Sequence, residues 1–427
     1  MGTGTRRDAV GARWAGLSVL LLAAFMDLID STIVTVALPA IRADLHASYA
    51  EIQWVMAAYQ LAFGLLLISG GRLGDMVGRK RVFLVAVASF VAASAGCGLA
   101  TGPALLIACR ALQGAAAAAM VPQVLSMIQV TFPPRERPAA LAAYGATAGL
   151  AAVSGPLLGG LLTHANAAGL GWRSIFLVNV PVGLVALALG GPLLAEQRAP
   201  ARLRLDGLGL VLLVAALLLV TGPLVQGPEA GWSMWAPVSF GGAALAIAGF
   251  VAQERRLTAR GGFPLLPLHL FTLRAFVAGV VVTVVFFSGI VGFFVVFVLF
   301  LQQQGWDVLG IGLVIAPFSL GVALGSGISV PLAPRRGRGV AVVGSLLVAA
   351  GMAGLGLIVR SAGADAGLLI PPLALAGLGM GLFVAPLWGS QSSAWCPSES
   401  RAPTPAYPRP CRERLPGRPA CSCSRQR

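Results

Sequence analysis

One feature repeats along most of the chain: runs of about twenty apolar residues, set apart by short polar connections. Wound as an α-helix, a run of that length matches the hydrocarbon thickness of a bilayer, about 30 Å. Lipid offers no partner to backbone N–H and C=O groups, so each segment must satisfy its own, and these runs are too long for barrel strands. The runs predict twelve spans, over 14–38, 52–71, 82–101, 103–129, 138–163, 172–194, 206–226, 235–253, 275–301, 308–331, 340–359 and 367–389. Charged residues make up 11% of the chain, against roughly 25% in soluble domains. The expected fold class is an all-α polytopic membrane protein. The first run follows Arg6, Arg7 and Arg13, as a leader peptide would, but it is too long and holds two aspartates. It therefore reads as a retained helix.

The net charge of +15 suggests nucleic acid until its distribution is followed. Nineteen bases fall in the N-terminus and in every even-to-odd connection, among them Arg135, Arg137, Arg198, Arg255, Arg256, Arg335 and Arg336. The opposite connections hold Arg42, Arg173 and Arg360. Basic loops stay in the cytoplasm, which puts the N-terminus inside and explains the charge without a nucleic-acid partner. Six cysteines form no disulfide framework; Cys97 and Cys109 read as small packing residues within spans.

The densest charge cluster lies in "GGRLGDMVGRKR", Gly70 to Arg81. Orientation accounts for Lys80 and Arg81. Gly71, Gly74 and Gly78 permit a tight turn and close backbone approach. Asp75 precedes Arg79 by four residues, within ion-pair reach on a helical turn, and an acid there can also face the positive end of a neighbouring helix. This stretch resembles the signature loop between helices 2 and 3 of the major facilitator superfamily. The resemblance implies a conformational latch made of Gly71, Gly74, Asp75, Gly78, Arg79 and Lys80 that holds the outward-open state. "RALQGAAAAA", with Arg110, Gln113 and Gly114, is similar to the family's helix 4 motif, whose arginine is implicated in proton transfer. An intramembrane arginine can instead snorkel to an interface, but at about 1.5 Å per residue Arg110 lies roughly 10 Å inward from Pro103.

"GATAGLAAVSGPLLGG" resembles the motif of the exporting, antiport branches through Gly145, Gly149, Gly155, Pro156, Gly159 and Gly160. Glycines four apart let helices approach, and a proline bends the helix that holds it. "DSTIVTVALPAI", "WRSIFLVNVPVG" and "LQQQGWDVLGIGL" look like the fourteen-helix drug:proton antiporter branch. The resemblance covers about residues 14–390 and implies a bacterial plasma-membrane protein working as a monomer. It also implies an organisation: a cytoplasmic N-terminus (1–13), a six-helix half (14–194), a linker helix pair with its loops (195–274) and a second half (275–389). About twelve of an expected fourteen transmembrane helices are present. "PLAPRRGRG", Pro331 to Gly339, falls where the second half should repeat the helix 2–3 loop, without its acid.

Asp27 and Asp30 are the carboxylates in the interior of the expected spans. Each costs about 2.5–3.5 kcal/mol at a helix centre on insertion scales. Three residues apart, they share a helix face, and two acids that close resist being charged together. A carboxylate that gains and loses a proton is what proton coupling needs; the alternative is that both acids line a wet cavity as acceptors. Asp30 leads because it falls within the family motif, and its depth predicts contact with Arg110 when the site is empty. Substrate contacts are sought in Phe294, within "FFSGIVGFFVVFVLF", and in Gln60, Gln113, Gln123 and Gln302. His46 and His164 fall in outer connections.

After Ser390 the chain turns to Pro, Ser, Arg and Cys, and 390–427 read as a disordered, aberrant tail. The branch pattern expects helices 13 and 14 there, so the switch reads as a change of frame, with a native tail as the rival. The expected function is a proton-coupled antiporter that exports small amphipathic or cationic compounds by alternating access, of the multidrug efflux type. The alternatives are an exporter of an endogenous metabolite or antibiotic, or a non-functional truncated remnant. No GxxxxGK[ST] loop argues for ATP drive, so the proton gradient stands in place of a cofactor, and no metal set is evident. The longer connections, near 195–205 and 254–274, hold few acids and one histidine, His269, which argues against a membrane enzyme.

Overall fold

The computed structural model describes residues 4–165, 169–198, 206–262, 264–306, 308–362 and 365–394. Among these the regular structure is helical: α1 (Gly4–Leu45), α2 (Tyr49–Val77), α3 (Arg79–Gly98), α4 (Pro103–Thr131), α5 (Arg137–Ala165), α6 (Ser174–Leu177), α7 (Asn179–Leu193), α8 (Gly207–Ala230), α9 (Trp235–Ala259), α10 (Arg274–Gln303), α11 (Val308–Ala362) and α12 (Ala366–Ala394). Local chemistry sets several of the ends. Ser48 Oγ accepts from the Glu51 amide while Glu51 accepts from the Ser48 amide, a reciprocal cap that opens α2. Pro103 stands in the first turn of α4, where its missing N–H is not needed. Asp206 caps α8 by accepting from the Gly209 amide at 3.1 Å.

Among the described residues, eleven helices are long and apolar enough to cross a membrane. The count differs from the twelve expected at one place. The expected fifth span is α5, a helix of 29 residues, of which Ala139–Ala151 forms the described apolar stretch. A second difference concerns "PLAPRRGRG", expected as a loop. Helical backbone runs through it without a break, giving α11 a length of 55 residues. A straight helix would separate positions 321 and 351 by about 45 Å, yet both abut α12 between Pro372 and Leu378. The chain therefore doubles back, and spans Gly310–Ser329 and Gly339–Ser361 flank the reversal. Pro331 and Pro334 fall between these two spans, and a proline within helical backbone removes a hydrogen bond and kinks or breaks the helix. The tail at 395–427, and with it the question of helices 13 and 14, lies outside the described residues.

Helices α1 to α7 pack around two apolar cores stacked along α1. One joins Leu17–Met26 to Phe83 and Phe90 of α3, Met120 and Met127 of α4, and Ala186 of α7. The other joins Ile29–Ile41 to Val55 of α2, Leu106 of α4, Ala151 of α5, Trp172 and Phe176. Met26 ends one core and Ile29 begins the next, so the α1 acids sit at the junction. Helices α2 and α4 cross so closely that a methyl group on Gly114 would collide with the Tyr59 carbonyl. A third core joins α10, α11 and α12 through Phe297, Leu301, Phe318, Leu355 and Leu373. α5 lies against α11, with Gly149 beside Ala323 and Leu157 beside Gly312.

Candidate functional site

The junction between the two α1 cores holds a knot of polar side chains from five helices. Asp30 is fully buried, at 0% exposure. Its Oδ2 accepts from Arg110 Nη1 of α4 at 2.5 Å; its Oδ1 accepts from Gln113 Nε2 of α4 at 2.9 Å and from Asn179 Nδ2 of α7 at 2.8 Å. Arg110 Nη1 also donates to Gln113 Oε1 at 2.9 Å, and its Nε to the Val55 carbonyl of α2 at 3.3 Å. The guanidinium lies over the Tyr59 ring, 4.2 Å from its centroid, a further stabilisation of a buried cation. Ser94 of α3 receives hydrogen bonds from Gln113 (2.6 Å) and Asn179 (3.2 Å). Tyr59 in turn donates to Asp27 Oδ1 at 2.5 Å. Taking an ion pair out of water costs several kcal/mol per ion unless further hydrogen bonds help to offset it; here Gln113, Asn179 and the Val55 carbonyl supply them.

The structure thus brings Asp27, Asp30, Arg110 and Gln113 together. Gln113, sought in the sequence as a substrate contact, gives its Nε2 to Asp30 and Ser94. Ser94, Tyr59 and Asn179 were not anticipated. Asn179 carried the one usable signal, an amide inside an apolar run. Tyr59 stands next to Gln60, which the sequence favoured and which is exposed. Gln123, also sought as a substrate contact, is buried and donates to the Gly70 and Ala119 carbonyls, at 2.8 and 3.1 Å, bracing the α2–α4 crossing. Gln302 is exposed. Phe294 packs edge-on against Phe318, ring centroids 4.7 Å apart, beside the third core.

The turn between α2 and α3 is one residue long. Gly78 makes it with φ +122°, a conformation side chains rarely adopt. Across it, Arg79 Nη2 and Nε donate to Asp75 Oδ1 at 2.9 and 3.2 Å. Lys80 Nζ donates to the Gly191 carbonyl at 2.6 Å, and its amide to Glu196 at 3.2 Å. These bonds tie the turn to the end of α7. Gly71 and Gly74 lie on α2 against Pro122 and Gln123 of α4. The neighbouring Arg72 reaches further, donating to the Pro264 carbonyl in the segment before α10. Glu254, which the sequence placed just beyond a span, is fully buried in α9 and accepts from the Leu265 and Leu266 amides, each at 3.0 Å.

On α5, Gly155 packs against Thr32 and Gly159 against Ile33, within one turn of Asp30. Gly149 meets α11, Gly145 faces open space, and Gly160 is half-buried. The Pro156 backbone is helical. The glycine face of α5 therefore sets how closely the acid-bearing part of α1 is held. At the far end of α1, Asp44 Oδ2 accepts from Arg173 Nη1 (2.7 Å) and Trp172 Nε1 (3.0 Å).

The family model described as Major Facilitator Superfamily matches residues 20–402. The chain is 41% identical over 391 residues to the "Probable actinorhodin transporter" of Streptomyces coelicolor, covering 91% of this chain and 68% of that protein. It is 37% identical over 378 residues to the "Tetracenomycin C resistance and export protein" of Streptomyces glaucescens, covering 87% and 68%. With the "Puromycin resistance protein pur8" of Streptomyces alboniger it shares 36% identity over 400 residues, covering 91% and 77%. The solved structure of the proton:xylose symporter XylE bound to 6-bromo-6-deoxy-D-glucose superposes with a TM-score of 0.60 at 14% identity, over 88% of this chain and 81% of that one, and so shares the fold. Helices, family match and relatives converge: the chain belongs to the Major Facilitator Superfamily, a family of membrane transporters.

Proposed function

We propose that the chain is an exporter of small amphipathic compounds, driven by protons moving inward through alternating access. The observation that carries this reading is the buried Asp30–Arg110 pair with Asp27 one helical turn away. Three ionisable groups held out of water mark an ion pathway more readily than a stability device, since an apolar replacement would cost the fold less. In this reading the chain works as a single polypeptide in the bacterial plasma membrane with its N-terminus inside. Asp75 and Arg79 form the latch at the cytoplasmic end, and substrate enters between the halves. The three relatives described above are each named for a single antibiotic, which supports the reading of a dedicated antibiotic exporter over a broad drug pump.

Inside-out vesicles carrying the full chain test the proposal. An imposed gradient, acid inside, should drive puromycin accumulation that a protonophore abolishes, and the double variant Asp27→Asn/Asp30→Asn should lose the gradient-driven component. Chain-dependent accumulation that ignores the gradient would remove the proton from the mechanism.

A further inference from the structure

We infer that Asp27, not Asp30, is the carboxyl that binds and releases the transported proton, with Tyr59 as its positioning partner and Asp30 as a fixed counter-charge to Arg110. The inference rests on the proton-driven reading above and divides the labour within it. Although the acids stand one turn apart on α1, they keep different company. Asp30 has 0% exposure and three donors, one of them a cation. A proton arriving there must displace a guanidinium nitrogen at 2.5 Å and leave a buried arginine unpaired. Asp27 keeps 5% exposure and accepts from one neutral donor, the Tyr59 phenol. Among the described residues no Lys or Arg nitrogen lies within ion-pair distance of it.

The titratable and charged groups facing Asp27 are Asp30 on its own helix, Tyr59 from α2, Arg110 from α4 and Tyr144 from α5. From α7 the nearby polar group is the neutral Asn179. The Tyr59 bond survives both states of the acid. A phenol donates to a carboxylate, and its oxygen accepts from a carboxylic O–H. In the step itself an O–H bond forms at an Asp27 oxygen, with the proton taken from water on one side of the membrane. The same bond breaks to water on the other side, and no electrons leave the pair. Loading the proton takes the Asp27–Asp30–Arg110 group from one net negative charge to none. Arg110 feels the change through the Tyr59 ring on which it rests, and it holds the α2 backbone at Val55. Proton occupancy is thereby coupled to the position of α2.

Infrared titration of the detergent-solubilised full chain tests the assignment, because a protonated carboxyl has a C=O band that a carboxylate lacks. The wild type should lose one such band as the buffer pH is raised stepwise. Asp27→Asn should abolish that band, and Asp30→Asn should retain it. Tyr59→Phe, which keeps the ring under Arg110, should shift the band's frequency and its titration midpoint without removing it, and Asp27→Glu should restore a titrating band. A band lost in Asp30→Asn and kept in Asp27→Asn, or unmoved by Tyr59→Phe, would overturn the assignment while leaving proton-driven export intact. Puromycin accumulation indifferent to the gradient in wild-type vesicles would instead sink the function reading.

Discussion

Arg110 shows how much of a site one residue organises. Its nitrogens reach Asp30, Gln113 and the Val55 carbonyl, and its plane rests on Tyr59. Removing one partner of a buried pair leaves the other charge unpaired, at a cost of about 3–5 kcal/mol. Arg110→Gln and Asp30→Asn should each lower the melting temperature of the purified chain, and the double variant should melt above the sum of the two losses. Strict additivity would mean that the pair does not form. Asn179→Ala, which deletes a donor to Asp30, should cost about 1–3 kcal/mol, read by the same melting assay. A charge in an apolar run is costly, so Asp27, Asp30 and Arg110 stood out in the sequence. Ser94 and Tyr59 were not, because such residues are common in helices and their role depends on which face meets which helix. A single helical step separates Tyr59, inside the knot, from exposed Gln60.

At the scale of elements, spans were legible wherever the apolar run ended in a charge cluster, and small residues decide how the helices meet. Gly114 lets α2 and α4 touch backbone to backbone. Gly114→Ala should therefore force the crossing apart, displace Tyr59 and abolish transport, whereas Gly145→Ala, facing open space, should leave the melting temperature unchanged. Equal effects in a melting assay would show that the close approach is not what holds the pair. At Gly78 two obstacles coincide: a positive φ, and a Glu196 carboxylate where a Cβ would go. Gly78→Ala should cost more than about 1 kcal/mol of stability for that reason. The reversal within α11 was legible as the connection between the spans 308–331 and 340–359; the helical backbone that runs through it was not, because proline and arginine there read as a loop.

Across the whole molecule, the alternation of basic and non-basic connections makes a topological prediction. Single cysteines introduced into a cysteine-free chain at Arg135 and Arg256 should react with an impermeant thiol reagent only from the cytoplasmic side. A cysteine at His46 should react only from outside. Labelling of Arg135 and Arg256 from opposite sides would overturn the threading. Neither the contact of α5 with α11 nor the reach of Arg72 to the Pro264 carbonyl could be read from one sequence, since both depend on how distant segments come to rest together.

The polar knot has a mechanical corollary. Side chains from α1, α2, α3, α4 and α7 are laced through one buried, charge-assisted web, so sliding any one of these rods past its neighbours would tear several strong bonds at once. These five helices are therefore built to tilt as a single block. Any movement of this block against the rest of the chain would fall on seams such as those where α5 meets α11 and where Arg72 ties α2 to the segment ahead of α10.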